Sequence, residues 1–142
     1  MSSTRSALFL LIAVVSTCHA RESLSQIARW PDLVAQAKDH GVDYPAAVAR
    51  AQRGDLQALR IVFRVTPYTD GSGAESHSAV LRLLLEHLGD RRFSAALREE
   101  RRDLRSRVIQ AIDFDFGRSW QKSFPLTYVL GSHDIRLLRG GQ

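Results

Sequence analysis

Two Gly-Asp pairs, Gly54-Asp55 and Gly89-Asp90, stand 35 residues apart, and each separates one apolar-periodic segment from the next. Glycine stops a helix because it adopts the left-handed conformation that turns the chain off the helical axis. Aspartate starts the next one because its carboxylate accepts the unpaired N–H groups of a first turn. Helix, Gly-Asp, helix, twice over, is the pattern of stacked helical hairpins. The punctuation predicts a mainly α fold: a compact bundle of helical hairpins with an α-helical-repeat character.

The remaining start and stop signals fit this frame. Ser23 and Gln26 form a capping box. Pro31 kinks this first helix or opens a new one, which Gly41 ends. Asp43 or Tyr44, with Pro45 in the first turn, starts an Ala-rich helix reaching Arg53. Leu56, Leu59, Val62 and Phe63 form one apolar stripe, followed by a loop from Thr66 to Gly73. Ser72 and Glu75 read as a second capping box. The helix it opens carries Val80, Leu81, Leu83, Leu84, Leu85 and Leu88 around most of its circumference, which predicts the most buried helix of the bundle.

The longest helix is expected from about Arg91 to Ile112, with Asp103 paired to Arg107 across one turn. Beyond it, Ile112-Asp113-Phe114-Asp115-Phe116 alternates as a half-buried strand does. Phe124 to Leu130 reads as a strand or as a short helix capped by Ser123 and stopped by Gly131, so the C-terminal segment is expected to add at most a short β element.

The first twenty residues have a different character. Arg5 precedes nine unbroken apolar residues, Ala7 to Val15, and the small or polar run Ser16 to Ala20 follows. That order is a secretory signal peptide, with cleavage expected after Ala20. The apolar run is well short of the roughly 20 residues a membrane span needs. Val15-Ser16-Thr17-Cys18 also looks like a degenerate bacterial lipobox, with Thr17 departing from the usual small residue; this alternative implies lipid attachment at Cys18.

The expected organisation is therefore a leader over 1–20, one helical domain over 21–139 and a disordered tail over 140–142. The destination is the periplasm or the extracellular space, or a membrane surface if Cys18 is lipidated. Plain cleavage leaves no cysteine, so disulfides cannot contribute to stability. An apolar fraction of 44% against 25% charged residues excludes a disordered chain.

Chemistry-bearing residues are few. Asp113 and Asp115 lie two apart, and His133 follows in a later turn. If brought together, these three are candidates for holding a hard cation and activating water, which makes a small metal-dependent hydrolase the alternative function. No established ligand spacing is matched, so neither a metal nor another cofactor is expected.

His40 stands near a helix end, while His77 and His87 are expected on the surface. Arg91, Arg98, Arg102 and Arg105 are expected on one helix face and are the candidate binding surface for an anionic partner. Glu99, Glu100 and Asp103 interrupt that field, and no aromatic side chains interleave as stacking on bases requires, so nucleic acid is not an expected partner. The reading that results is a non-catalytic exported module that binds a protein or an anionic partner.

Overall fold

The computed structural model describes residues 23–117 and 119–131. The expected leader with Cys18, His133 and the expected tail over 140–142 lie outside the described residues. Eight α-helices follow in order: α1 Leu24–Ile27, α2 Pro31–Asp39, α3 Tyr44–Gln52, α4 Leu56–Val65, α5 Gly71–Leu88, α6 Asp90–Arg98, α7 Arg102–Phe116 and α8 Trp120–Ser123. A 3-10 turn, Thr66–Tyr68, joins α4 to α5, and residues 125–131 form a further helix, α9. No strand occurs among the described residues.

Most helix starts are made by the residues the sequence marks. Ser23 accepts from the Gln26 N–H while the Gln26 side chain accepts from the Ser23 N–H. Pro31 is the first residue of α2, where its missing N–H costs nothing. Asp43 accepts from Ala46 N–H, and Asp55 from Ala58 N–H at 3.0 Å. Gly54 and Gly89 both have positive φ, +94° and +80°, so both Gly-Asp pairs are true chain reversals.

The two aspartates then act differently. Asp55 caps its own helix, whereas Asp90 reaches across to cap α9, accepting from Leu126 N–H and Thr127 N–H at 2.7 Å each.

α5 is the axis of the bundle, packing against α1, α2, α3, α6 and α7. Its Val80, Leu81, Leu84 and Leu85 are fully enclosed and meet one continuous core with Leu59, Val62 and Phe63 of α4, Phe93 and Leu97 of α6, and Val108 and Ile112 of α7. Each such side chain contributes about 1.5–3 kcal/mol on burial. Phe63 and Phe93 meet edge to face at 4.9 Å.

Contacts between hairpins recur at nearly constant separation. Tyr44 meets His77, Gln52 meets His87 and Arg82 meets Asp115. The first two contacts keep the same order along α3 and α5, so these two helices run in one sense, as equivalent members of successive hairpins do.

Several expectations are corrected. The helix expected from Arg91 to Ile112 is broken at Glu99-Glu100-Arg101, and α5 is the longest helix instead. The break places the Glu100 carboxylate between Arg60 and Arg64 of α4, an arrangement a continuous helix would forgo. Asp103 consequently pairs with Arg101, not Arg107.

Ser72 does not cap α5. The helix begins at Gly71, and the Ser72 hydroxyl donates to Asp32. Asp70, at the cap position, is held sideways by Gln36, whose Nε2 donates to its carboxylate at 2.6 Å.

The alternating Ile112–Phe116 segment is the last turn of α7, not a strand. Leu104, Val108, Ile112 and Phe116 recur every fourth residue, and this longer helical period prevails over five residues of alternation. Residues 125–131 are helical as well, opened by Pro125 and capped by Asp90, with Ser123 ending α8. Gly131 is the last described residue of this helix. It is still helical and buried, and a Cβ there would come within 2.8 Å of the Ile109 side chain, so only glycine permits so close an approach.

Candidate functional site

The first two turns of α5 carry no large apolar side chain, only Gly71-Ser72-Gly73-Ala74-Glu75-Ser76-His77-Ser78. Small residues there leave space where α5 runs beside α7. Gly71, Ala74, Glu75 and Ser78 face Arg107, Gln110, Ala111 and Phe114 across an open groove of ≈ 410 Å³. The spacing of three and four residues on both sides is that of two helix faces lying along one another. Thr66 and Thr69 of the preceding turn close one end.

Beneath the groove lies a buried hydrogen-bonded chain. Nδ1 of His77 shares a 2.6 Å hydrogen bond with the Tyr44 hydroxyl, and Nε2 shares one of 2.8 Å with the Thr66 hydroxyl. His77 is 1% exposed. Its expected surface position is thus corrected: the Gly71 start puts it in the second turn of α5, on the side facing α3. Burial lowers its pKa to about 3 and raises that of Tyr44 well above the usual phenol value. A neutral imidazole with both nitrogens occupied ties α3, α5 and the 3-10 turn together. So weak a base is a poor activator of the Thr66 hydroxyl, although the contact distance alone would allow it.

Ser78 is the unusual residue of the groove. It is 4% exposed, and among the described residues no hydrogen-bond partner engages its hydroxyl. The buried atoms left without a partner among the described residues are Arg105 Nε and Thr127 Oγ1, so the Ser78 hydroxyl is not sealed off but opens onto the groove. Near it, Thr69 donates to the Thr66 carbonyl and keeps its lone pairs free. Glu75, Arg107 and Gln110 stand exposed along the rim, and Phe114 projects at the mouth with 71% of its surface in solvent.

Of the three candidate residues, the two that are described each engage a different partner. Asp113 accepts from the Trp120 indole N–H at 2.7 Å, fixing α8 against α7. Asp115 forms an ion pair with Arg82, whose guanidinium also lies over the Phe116 ring. His133 lies outside the described residues. Among the described residues, no three His, Cys, Asp or Glu side chains gather as metal ligands.

Of the four arginines, Arg91 and Arg98 belong to α6 and Arg102 and Arg105 to α7, so they share no continuous helix face. Arg105 places its Nε in the protein, with no partner among the described residues. His40 ends α2 and stacks on Tyr68 at 3.7 Å, while His87 is exposed and bonded to the Gln52 carbonyl.

A second cleft, ≈ 420 Å³, runs beside Arg60, Arg64 and Glu100, whose charges are already matched to one another. Burial alone would raise the Glu100 pKa; hydrogen bonds from the two arginines outweigh it and hold the carboxyl below its ordinary value.

Fold and groove together define a mainly α-helical bundle with an open, hydroxyl-floored groove beside its central helix. Comparison with protein-family models, curated proteins and solved structures finds no match to this chain. No described helix is long and apolar enough to cross a membrane.

Ser78 and its groove are not legible from local pattern, because a serine within a helix is ordinarily a solvent-facing residue. The available sign was the lack of any large side chain over the first two turns of an otherwise leucine-rich helix.

Proposed function

We propose that this protein is a non-catalytic exported binding module that holds its ligand in the groove between α5 and α7. The observation carrying this reading is the groove itself, on whose floor the Ser78 hydroxyl lies without a protein hydrogen-bond partner among the described residues. A bound ligand could hydrogen-bond this hydroxyl without displacing a protein partner. Concave sites with a few convergent polar groups are the ordinary form of small-molecule sites.

The hydrolase alternative is weaker. Asp113 and Asp115 are engaged by Trp120 and Arg82, and freeing them for a metal would undo both contacts.

Binding is tested by adding sugars, amino acids, dipeptides and inorganic anions to isotope-labelled protein and following its amide resonances. At least one class is expected to move Ala74, Ser78, Ala111 and Phe114 saturably. If no class does, the reading fails. Export is tested separately by the intact mass of protein produced with its own leader. A start at Arg21 supports cleavage after Ala20, and a start at Cys18 with added acyl mass supports the lipid-anchored form.

A further inference from the structure

We infer that the groove accepts a neutral polyhydroxylated ligand of one or two sugar rings; this rests on the binding-module reading and specifies its ligand. The groove floor carries no net charge. Its polar groups are the hydroxyls of Ser78, Thr66 and Thr69, with neutral His77 behind Thr66. A hydroxyl both donates and accepts, so a floor of hydroxyls matches a ligand whose groups do the same.

A charged group pressed onto that floor would lose its hydration and find no counter-ion, and the uncompensated cost rises steeply with burial. The groove's charges, Glu75 and Arg107, are of opposite sign and lie on the exposed rim, where pairing with solvated partners contributes little.

The N-terminus of α5 does not favour an anion either. Asp70 occupies its cap position, and Asp32 accepts from Ser72 in the first turn, so two carboxylates already offset the helix dipole there.

The apolar parts of the site complete the match. Ala74 and Ala111 leave the trough shallow, and the exposed Phe114 ring at its mouth offers a flat face to the C–H side of a pyranose. Gln110, on the same wall one turn before Phe114, supplies both a donor and an acceptor. A volume of ≈ 410 Å³ lies within the ordinary range for a small-molecule site and suits a disaccharide better than a polymer segment.

The test is an NMR titration of isotope-labelled protein with maltose and with N,N′-diacetylchitobiose, beside alanyl-alanine as a zwitterion and inorganic phosphate as an anion. Saturable shifts at Ala74, Ser78, Ala111 and Phe114 are expected with a disaccharide. Ser78→Ala and Gln110→Ala should each weaken that binding by about two- to tenfold, the effect of losing one hydrogen bond. Gln110 is exposed, so its variant reports on binding even if Ser78→Ala disturbs the fold.

Saturation by alanyl-alanine or phosphate with no response to either sugar would overturn the ligand class while leaving the binding module intact. No response to any probe would overturn both. Sugar binding indifferent to both substitutions would place the site elsewhere and overturn the inference.

Discussion

The Tyr44 hydroxyl and His77 Nδ1 lie 2.6 Å apart in the centre of the bundle, joining α3 to α5 through a pair of side chains almost wholly removed from water. Among the described residues no carboxylate is bonded to the ring. Its hydrogen-bond partners are the Tyr44 and Thr66 hydroxyls, and Glu75 and Arg107 stand beyond it at the groove rim. The imidazole is therefore stable there only while neutral.

This pair makes the fold acid-sensitive. The His77 pKa falls from 6.5 in the open chain to about 3 in the native protein, so the unfolded state binds the extra proton between those values. The contribution is fully present above about pH 6.5 and declines by up to about 1.4 kcal/mol per unit as pH falls towards 3. Urea denaturation at pH 7, 6 and 5, above the carboxylate range, should show this loss in the wild type and a flatter dependence in His77→Gln. Equal slopes in the two proteins would refute the assignment.

Asp90 should control the C-terminal helix. Its carboxylate holds the first N–H groups of α9 while its backbone starts α6. Asp90→Ala is expected to cost about 0.5–2 kcal/mol, the usual range for a lost cap. Hydrogen exchange should accelerate over 125–131 and change little in α5. Uniform acceleration throughout the chain would mean that α9 has no separate dependence on this residue.

Glu100 is expected to be worth more than an ordinary surface ion pair. It is 8% exposed and accepts from Arg60 at 2.6 Å and from Arg64 at 3.1 Å. Glu100→Gln retains the shape and removes the charge, and should lower stability by about 1–3 kcal/mol, within the range for charge-assisted hydrogen bonds. High salt should weaken the Arg64 contribution, which is half exposed, more than that of the better enclosed Arg60. A stability change near zero would show that the break between α6 and α7 has another cause.

Leu84→Ala and Leu85→Ala test the central position of α5. Both side chains are fully buried, and each truncation should cost about 2–5 kcal/mol by thermal or chemical denaturation. A loss below about 1 kcal/mol in both would contradict the packing described above.

Local chemistry determined much of this protein from the sequence alone. Ser23, Asp43 and Asp55 cap the helices they mark, and Gly41, Gly54 and Gly89 turn the chain where expected, because each device acts within a few residues. The leucine pattern of α5 likewise identified the core helix, since a helix apolar on most sides has to be enclosed.

Partners far apart in sequence decided the rest. Arg60 and Arg64 draw in Glu100 and divide the expected long helix; Gln36 and Asp32 displace the capping box at Ser72; Asp90 caps a helix 36 residues away. Tyr44 buries His77, and only the approach of α7 to the small-residue turns of α5 creates the groove around Ser78. A residue's own neighbours in the chain fix its backbone, but whether its polar side chain finds water, a partner or neither depends on which helices pack against it.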